Sequence, residues 1–127
     1  MLSPNDCRVN EAWIVAKINN IPLLVQNDEY DVYVLLDAGS TYVFGQALSQ
    51  VDGSATVDEV AVLFDIAWKA KQQWPEKIMV TDNSNTSAVF EAQAKRIGLP
   101  VIHMPMTDIE PIVGELISLF NSQFKGK

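Results

Sequence analysis

The chain has 127 residues and a net charge of −7, with 16 acidic against 9 basic side chains and 48 % hydrophobic residues. That length supports one hydrophobic core, and the composition is globular rather than disordered. No apolar run approaches the about 20 residues of a membrane span, and the acidic balance argues against the basic stripe by which proteins displace counterions from nucleic acid.

The first ten residues, MLSPNDCRVN, are polar and lack a basic-then-apolar leader pattern, which points to a cytoplasmic protein. The lone Cys7 has no partner for a disulfide or a thiolate metal site. Trp13–Ile18 is a short apolar strand, Asn19-Asn20 a turn, and Ile21–Val25 a further strand or edge piece. Residues 26–29 form a polar turn. Asp31–Ser49 then reads as a hairpin, with strands around Val32–Leu36 and Thr41–Phe44. Its turn holds Asp37 and Ser40, which can bond the local backbone, and Gly39, which can take a positive φ.

Residues 50–55 read as a loop, and Thr56-x-x-Glu59 as a capping box. Val57, Val60, Ala61, Leu63, Phe64, Ala67 and Trp68 then recur at helical spacing to about Gln73, before Pro75. Trp68 and Trp74 are expected in the core. Lys77–Thr81 is a buried strand, and Asp82-Asn83-Ser84-Asn85 a polar turn that caps a helix ending at Gly98. Val101–Met104 is another strand, where His103 is a core or edge residue without a ligand set. Thr107-x-x-Glu110 is a second capping box, with Pro111 in the first turn of a helix carrying Ile112, Val113, Leu116, Ile117 and Phe120. Leading hairpins followed by alternating strands and helices imply a five-stranded mixed α/β sheet, helices on both faces, in a single domain over 1–127.

Three stretches together resemble the catalytic core of DDE transposases and retroviral-type integrases, a branch of the RNase H-like fold. They are Trp13-Ile14-Val15, YDVYVLLDAGSTYVFGQAL, and KIMVTDNSNTSAVFEAQAKRIGL with its Thr-Asp-Asn turn. Pro105 and Gly114-Glu115 resemble the last loop and helix. The resemblance covers roughly Glu11 to Phe124. It implies three carboxylates that hold two divalent metal ions for phosphoryl transfer. The second ligand position falls on Asp82 and the third on Glu115, with Glu110 a poorer fit. The first falls on Ala16, or on Lys17 one residue later, and neither can ligate Mg²⁺.

A remnant Asp82–Glu115 pair would misplace the metals, and phosphoryl transfer depends on positioning. The expectation is therefore a catalytically degenerate core that needs no cofactor and serves protein association, as a homodimer or with a protein partner. Trp74 or Phe124 is expected to contribute to the contact. In a second register, that of RNase H proper, Asp37, Glu59, Asp82 and Glu115 would form a Mg²⁺- or Mn²⁺-dependent nuclease site. That register needs an extra strand in SQVDGSA, which is short and interrupted by glycine. A third reading, nucleic-acid binding without catalysis, needs a basic groove, and the nine basic residues are scattered.

Overall fold

A computed structural model describes residues 8–124 of the chain, so Cys7 lies outside the described residues. The order is β1 (Ala12–Lys17), β2 (Leu23–Val25), β3 (Asp28–Asp37), β4 (Val43–Gln50), α1 (Val57–Lys71), β5 (Lys77–Val80), α2 (Asn85–Ile97), β6 (Val101–His103) and α3 (Met106–Phe124). β3 pairs antiparallel with β1 and β4, and β1 pairs parallel with β5, which pairs parallel with β6. The five strands run β4-β3-β1-β5-β6 across the sheet. A sixth, the short β2, pairs with the first three residues of β3. No helix among the described residues is long and apolar enough to cross a membrane.

Successive residues of the central strands point to opposite faces, and both sets are buried, as a sheet covered on both faces requires. Trp13, Val15, Tyr33, Leu35, Ile78 and Val80 pack against Val60, Leu63, Phe64 and Ala67 of α1 and Phe90 and Ala94 of α2. Ala12, Ile14, Ala16, Val32, Val34, Leu36 and Met79 pack against Ile109, Ile112 and Val113 of α3. Trp74 lies beyond the end of α1. It is half-buried, with its ring 5.9 Å from Trp13 and 6.2 Å from Trp68. It therefore closes the core and does not form an exposed patch. The Phe124 side chain lies outside the described residues.

Several local expectations are corrected. β2 and β3 meet in a two-residue turn at Gln26 and Asn27, both with positive φ (51° and 73°), so β3 starts earlier than the polar residues suggest. β4 continues through Gln50, into the stretch expected to be a loop. Gly39 does not take a positive φ; Thr41 does, at 61°. Gly39 is small for another reason: a Cβ there would sit 2.4 Å from the Arg8 carbonyl oxygen. Thr56 accepts from the Glu59 amide at 3.1 Å, but the Glu59 carboxylate does not complete the capping box. It accepts from the Leu48 amide at 3.2 Å, on the edge of β4 turned away from β3, and so blocks an edge that could pair with another strand. α3 starts at Met106, one residue before the expected cap Thr107, and Pro111 falls in its second turn.

Candidate functional site at the carboxyl ends of β1 and β5

Parallel pairing sets Val15 opposite Val80, so β1 and β5 end side by side and deliver Lys17 and Asp82 to one end of the sheet. In sheets with parallel strands this is where ligand sites form. A cavity of about 310 Å³ opens there, lined by Lys17, Asn19, Asn20, Thr81, Asp82 and Met106. A second, of about 330 Å³, has Asp31, Tyr33, Ser49 and the turn Asn83–Thr86 in its wall.

Asp82 is the best-connected group of this end. Its Oδ1 accepts from the Ser84 amide (3.2 Å), the Ser84 hydroxyl (2.9 Å) and the Ser87 hydroxyl, while Oδ2 accepts from the Tyr33 hydroxyl at 3.0 Å. Tyr33 also lies 2.7 Å from Ser84 Oγ, and Ser84 in turn caps α2 by accepting from the Ser87 amide. The carboxylate thus ties β3, β5 and the start of α2 together. Burial by itself would raise its pKa, but the hydrogen bonds from Ser87, Ser84 and Tyr33 outweigh it and hold the group below the usual carboxylate range. Burial is also the main reason that the Tyr33 phenol is pushed up to about 12, so it remains a donor at neutral pH.

A depressed carboxylate stabilises the fold above its unfolded pKa, about 3.9, and that contribution is lost as pH falls through the lower folded value. Asp82→Asn is therefore expected to cost about 1–2 kcal/mol at pH 7. It should also flatten the acid limb of stability, as read from urea unfolding between about pH 3 and 7.

The hydrogen bonds to Asp82 come from Tyr33, Ser84 and Ser87, and none comes from the other sequence-derived candidates. Ala16 is 0 % exposed, its methyl packed on the α3 side of the sheet. Lys17 points to the opposite face, where its Nζ lies 3.5 Å from Asp31 Oδ1. Asp37 pairs with Trp13 and Tyr33 pairs with Lys17, so Asp37 sits at the other end of β1, about 13 Å along the strand. There it accepts from the Asn10 amide (2.8 Å) and the Ser40 amide and hydroxyl (3.2 and 2.6 Å), with Lys71 Nζ at 3.6 Å. Glu59 is engaged at the β4 edge as described. Glu115 is exposed, off the Ile109–Ile112–Val113 stripe and about 13 Å along α3 from Met106 at the cavity; Glu110 is exposed too. His103, on the edge strand β6, lies 3.1 Å from Glu91.

The resemblance to integrase-type cores implies divalent metal at this end, and the residues present do not fit one. Among the described residues no three His, Cys, Asp or Glu side chains are grouped to hold an ion. Ala16, on which the resemblance sets the first ligand, is a buried methyl, and both Asp82 oxygens already accept from protein donors. Sequence reasoning found Asp82 and the capping turn that contains Ser84, but missed Tyr33, Ser87 and Asp31. The Asp82-x-Ser84-x-x-Ser87 spacing is a usable signal for the serines. Nothing local marks Tyr33, which lies 49 positions away.

The chain is similar to a chain of the simian T-cell lymphotropic virus intasome, in a cryoEM structure with the PP2A regulatory subunit B56 gamma. The match has TM-score 0.52 and 18 % identity, over 98 % of this chain and 43 % of that one. The fold is RNase H-like, of the integrase-core kind. This chain spans less than half the length of that intasome chain. Two structures of the HTLV-2 integrase catalytic core domain with magnesium are also similar. The dimeric form matches at TM-score 0.48 and 14 % identity, over 89 % of this chain and 72 % of that one. The trimeric form matches at 0.48 and 13 %, over 94 % and 77 %. No family model matches the chain, and no curated protein does.

Proposed function

We propose that this chain is a degenerate integrase-type core that neither cuts nor joins nucleic acid, and that it works in the cytoplasm as a protein-association module. The observation that carries this reading is Asp82. Asp82, on which the resemblance sets the second ligand, accepts three hydrogen bonds on Oδ1 and one on Oδ2 from protein donors, and Ala16, on which it sets the first, is a buried methyl. The neighbours supply context: the HTLV-2 cores are described in dimeric and trimeric forms, and the intasome in complex with a protein subunit.

The basic side chains do not favour a nucleic-acid interface. Lys17, Lys69, Lys71, Lys77, Lys95 and Arg8 each lie against an acidic side chain.

A Mn²⁺ titration followed by thermal unfolding tests the reading. A site filled at 100 times its dissociation constant adds about 2.7 kcal/mol, a shift of several degrees. The expected response here is flat, with no metal-dependent cleavage of duplex or hybrid substrates. A rise in Tm that Asp82→Asn abolishes would overturn the proposal.

A further inference from the structure

We infer that the cavity between the end of β4 and the first turn of α2 binds a small zwitterion of the α-amino acid class. This binding is independent of the association reading above. Asp31 and Tyr33 of β3 form the floor of the cavity, and the register sets Ser49 of β4 opposite Asp31. The residues that follow β4 form a wall, which the Ala55 amide ties to α2 by donating to Thr86 Oγ1 at 3.0 Å. The volume is about 330 Å³, at the small end of ligand pockets.

Two independent features point to a ligand. Ser49 is 4 % exposed and lines the cavity, and its hydroxyl has no hydrogen-bond partner among the described residues. A buried hydroxyl left unpaired is costly, and a bound polar group would satisfy it. The second feature is the start of α2, a helix of 13 residues with no acidic side chain in its first turn. Ser84 Oγ takes the Ser87 amide and the Ser84 carbonyl takes the Ala88 amide, which leaves the Asn85 and Thr86 amides as donors. Such amides suit a carboxylate. A ligand that is only anionic does not fit. No Lys or Arg is among the described residues of the lining, whereas Asp31 and Asp52 are, and the Asp82 carboxylate is bonded to Ser84 next to them. Lys17 offsets Asp31 at 3.5 Å, but Asp52 has no ion-pair partner among the described residues. An ammonium beside Asp52 and a carboxylate on the Asn85 and Thr86 amides use both kinds of group, with the Ser49 hydroxyl able to bond to either. Val51 is the one aliphatic side chain among the described lining residues, so the side chain of the ligand is small or polar.

Thermal unfolding of the full chain with rising glycine, L-alanine, L-serine or L-threonine tests this, with acetate, methylammonium and inorganic phosphate as controls. At least one amino acid should raise Tm by several degrees at about 100 times its dissociation constant. None of the three controls should do so at the same concentration. Ser49→Ala should weaken binding by about tenfold or more and leave the Tm of the free chain no lower, because its hydroxyl makes no bond within the protein. Asp52→Asn should weaken binding by a similar factor, and asparagine tolerates the φ of 71° at that position. The proposal is overturned if no amino acid raises Tm. It is overturned too if acetate or phosphate matches the amino acids, which would mark an anion site, or if both variants bind as the parent chain does, which would put the ligand elsewhere. None of these outcomes touches the Mn²⁺ titration, which judges catalytic inactivity separately.

Discussion

Asp37→Ala is expected to lower stability by about 3–5 kcal/mol while leaving the response to Mn²⁺ unchanged. Asp37 is 0 % exposed and serves three donors, the Asn10 amide and the amide and hydroxyl of Ser40. Its fourth partner is Lys71, whose side chain is 19 % exposed and whose Nζ sits 5.8 Å and 5.9 Å from the Tyr42 and Phe44 ring centroids. Removing the carboxylate leaves that ammonium over aromatic rings without its anion, and leaves the Asn10 amide without an acceptor. Breaking a buried pair by deleting one partner costs far more than the pair contributes net. A urea-unfolding series reads the loss. A change below about 1 kcal/mol, the range of an exposed pair, would contradict the buried-anchor account. The metal arm matters equally: a nuclease site that includes Asp37 would lose metal binding in this variant, whereas a carboxylate at the far end of β1 has none to lose.

Trp13→Ala is expected to cost a further about 3–5 kcal/mol and to abolish the near-ultraviolet signature of the core. Trp13 is wholly buried, with ring centroids at 4.9 Å from Phe44, 5.9 Å from Trp74 and 6.4 Å from Phe64. Its indole N–H donates to Asn10 Oδ1 at 2.6 Å. Trp13→Phe keeps most of the ring contacts and loses that hydrogen bond, so it should recover more than half of the stability. Asn10 links the two sites, since its amide bonds Asp37 and its side chain bonds Trp13. The two alanine variants should therefore combine non-additively, and a double-mutant cycle in urea measures the coupling. Additive losses would show that Asn10 does not transmit between them.

Much of the fold was legible along the chain because its signals are local. Short continuous apolar runs place β1, β3 and β5, the Thr56 cap starts α1, and Gly98 in the left-handed conformation ends α2. Capping geometry was less legible. Glu59 can satisfy either its own helix start or the free edge of β4, and only the packed α1–β4 contact decides for the edge. Gly39 was expected to serve its own turn. It is small because residue 8, distant in sequence, crosses over it. Tyr33 was invisible as a site residue because its partners, Asp82 and Ser84, lie 49 and 51 positions away.

By itself, the sequence determined which chemical groups stand at the strand end where the family resemblance expects a bridging carboxylate. They are a methyl at Ala16 and an amine at Lys17, and no folding converts either into an anionic ligand. Only the tertiary structure decided what the remaining acids do. Whether two carboxylates converge depends on which way each strand runs through the sheet. Antiparallel pairing sends Asp37 to the opposite end from Asp82, the start of α2 brings Ser84 and Ser87 onto Asp82 Oδ1, and β3 brings Tyr33 onto Oδ2.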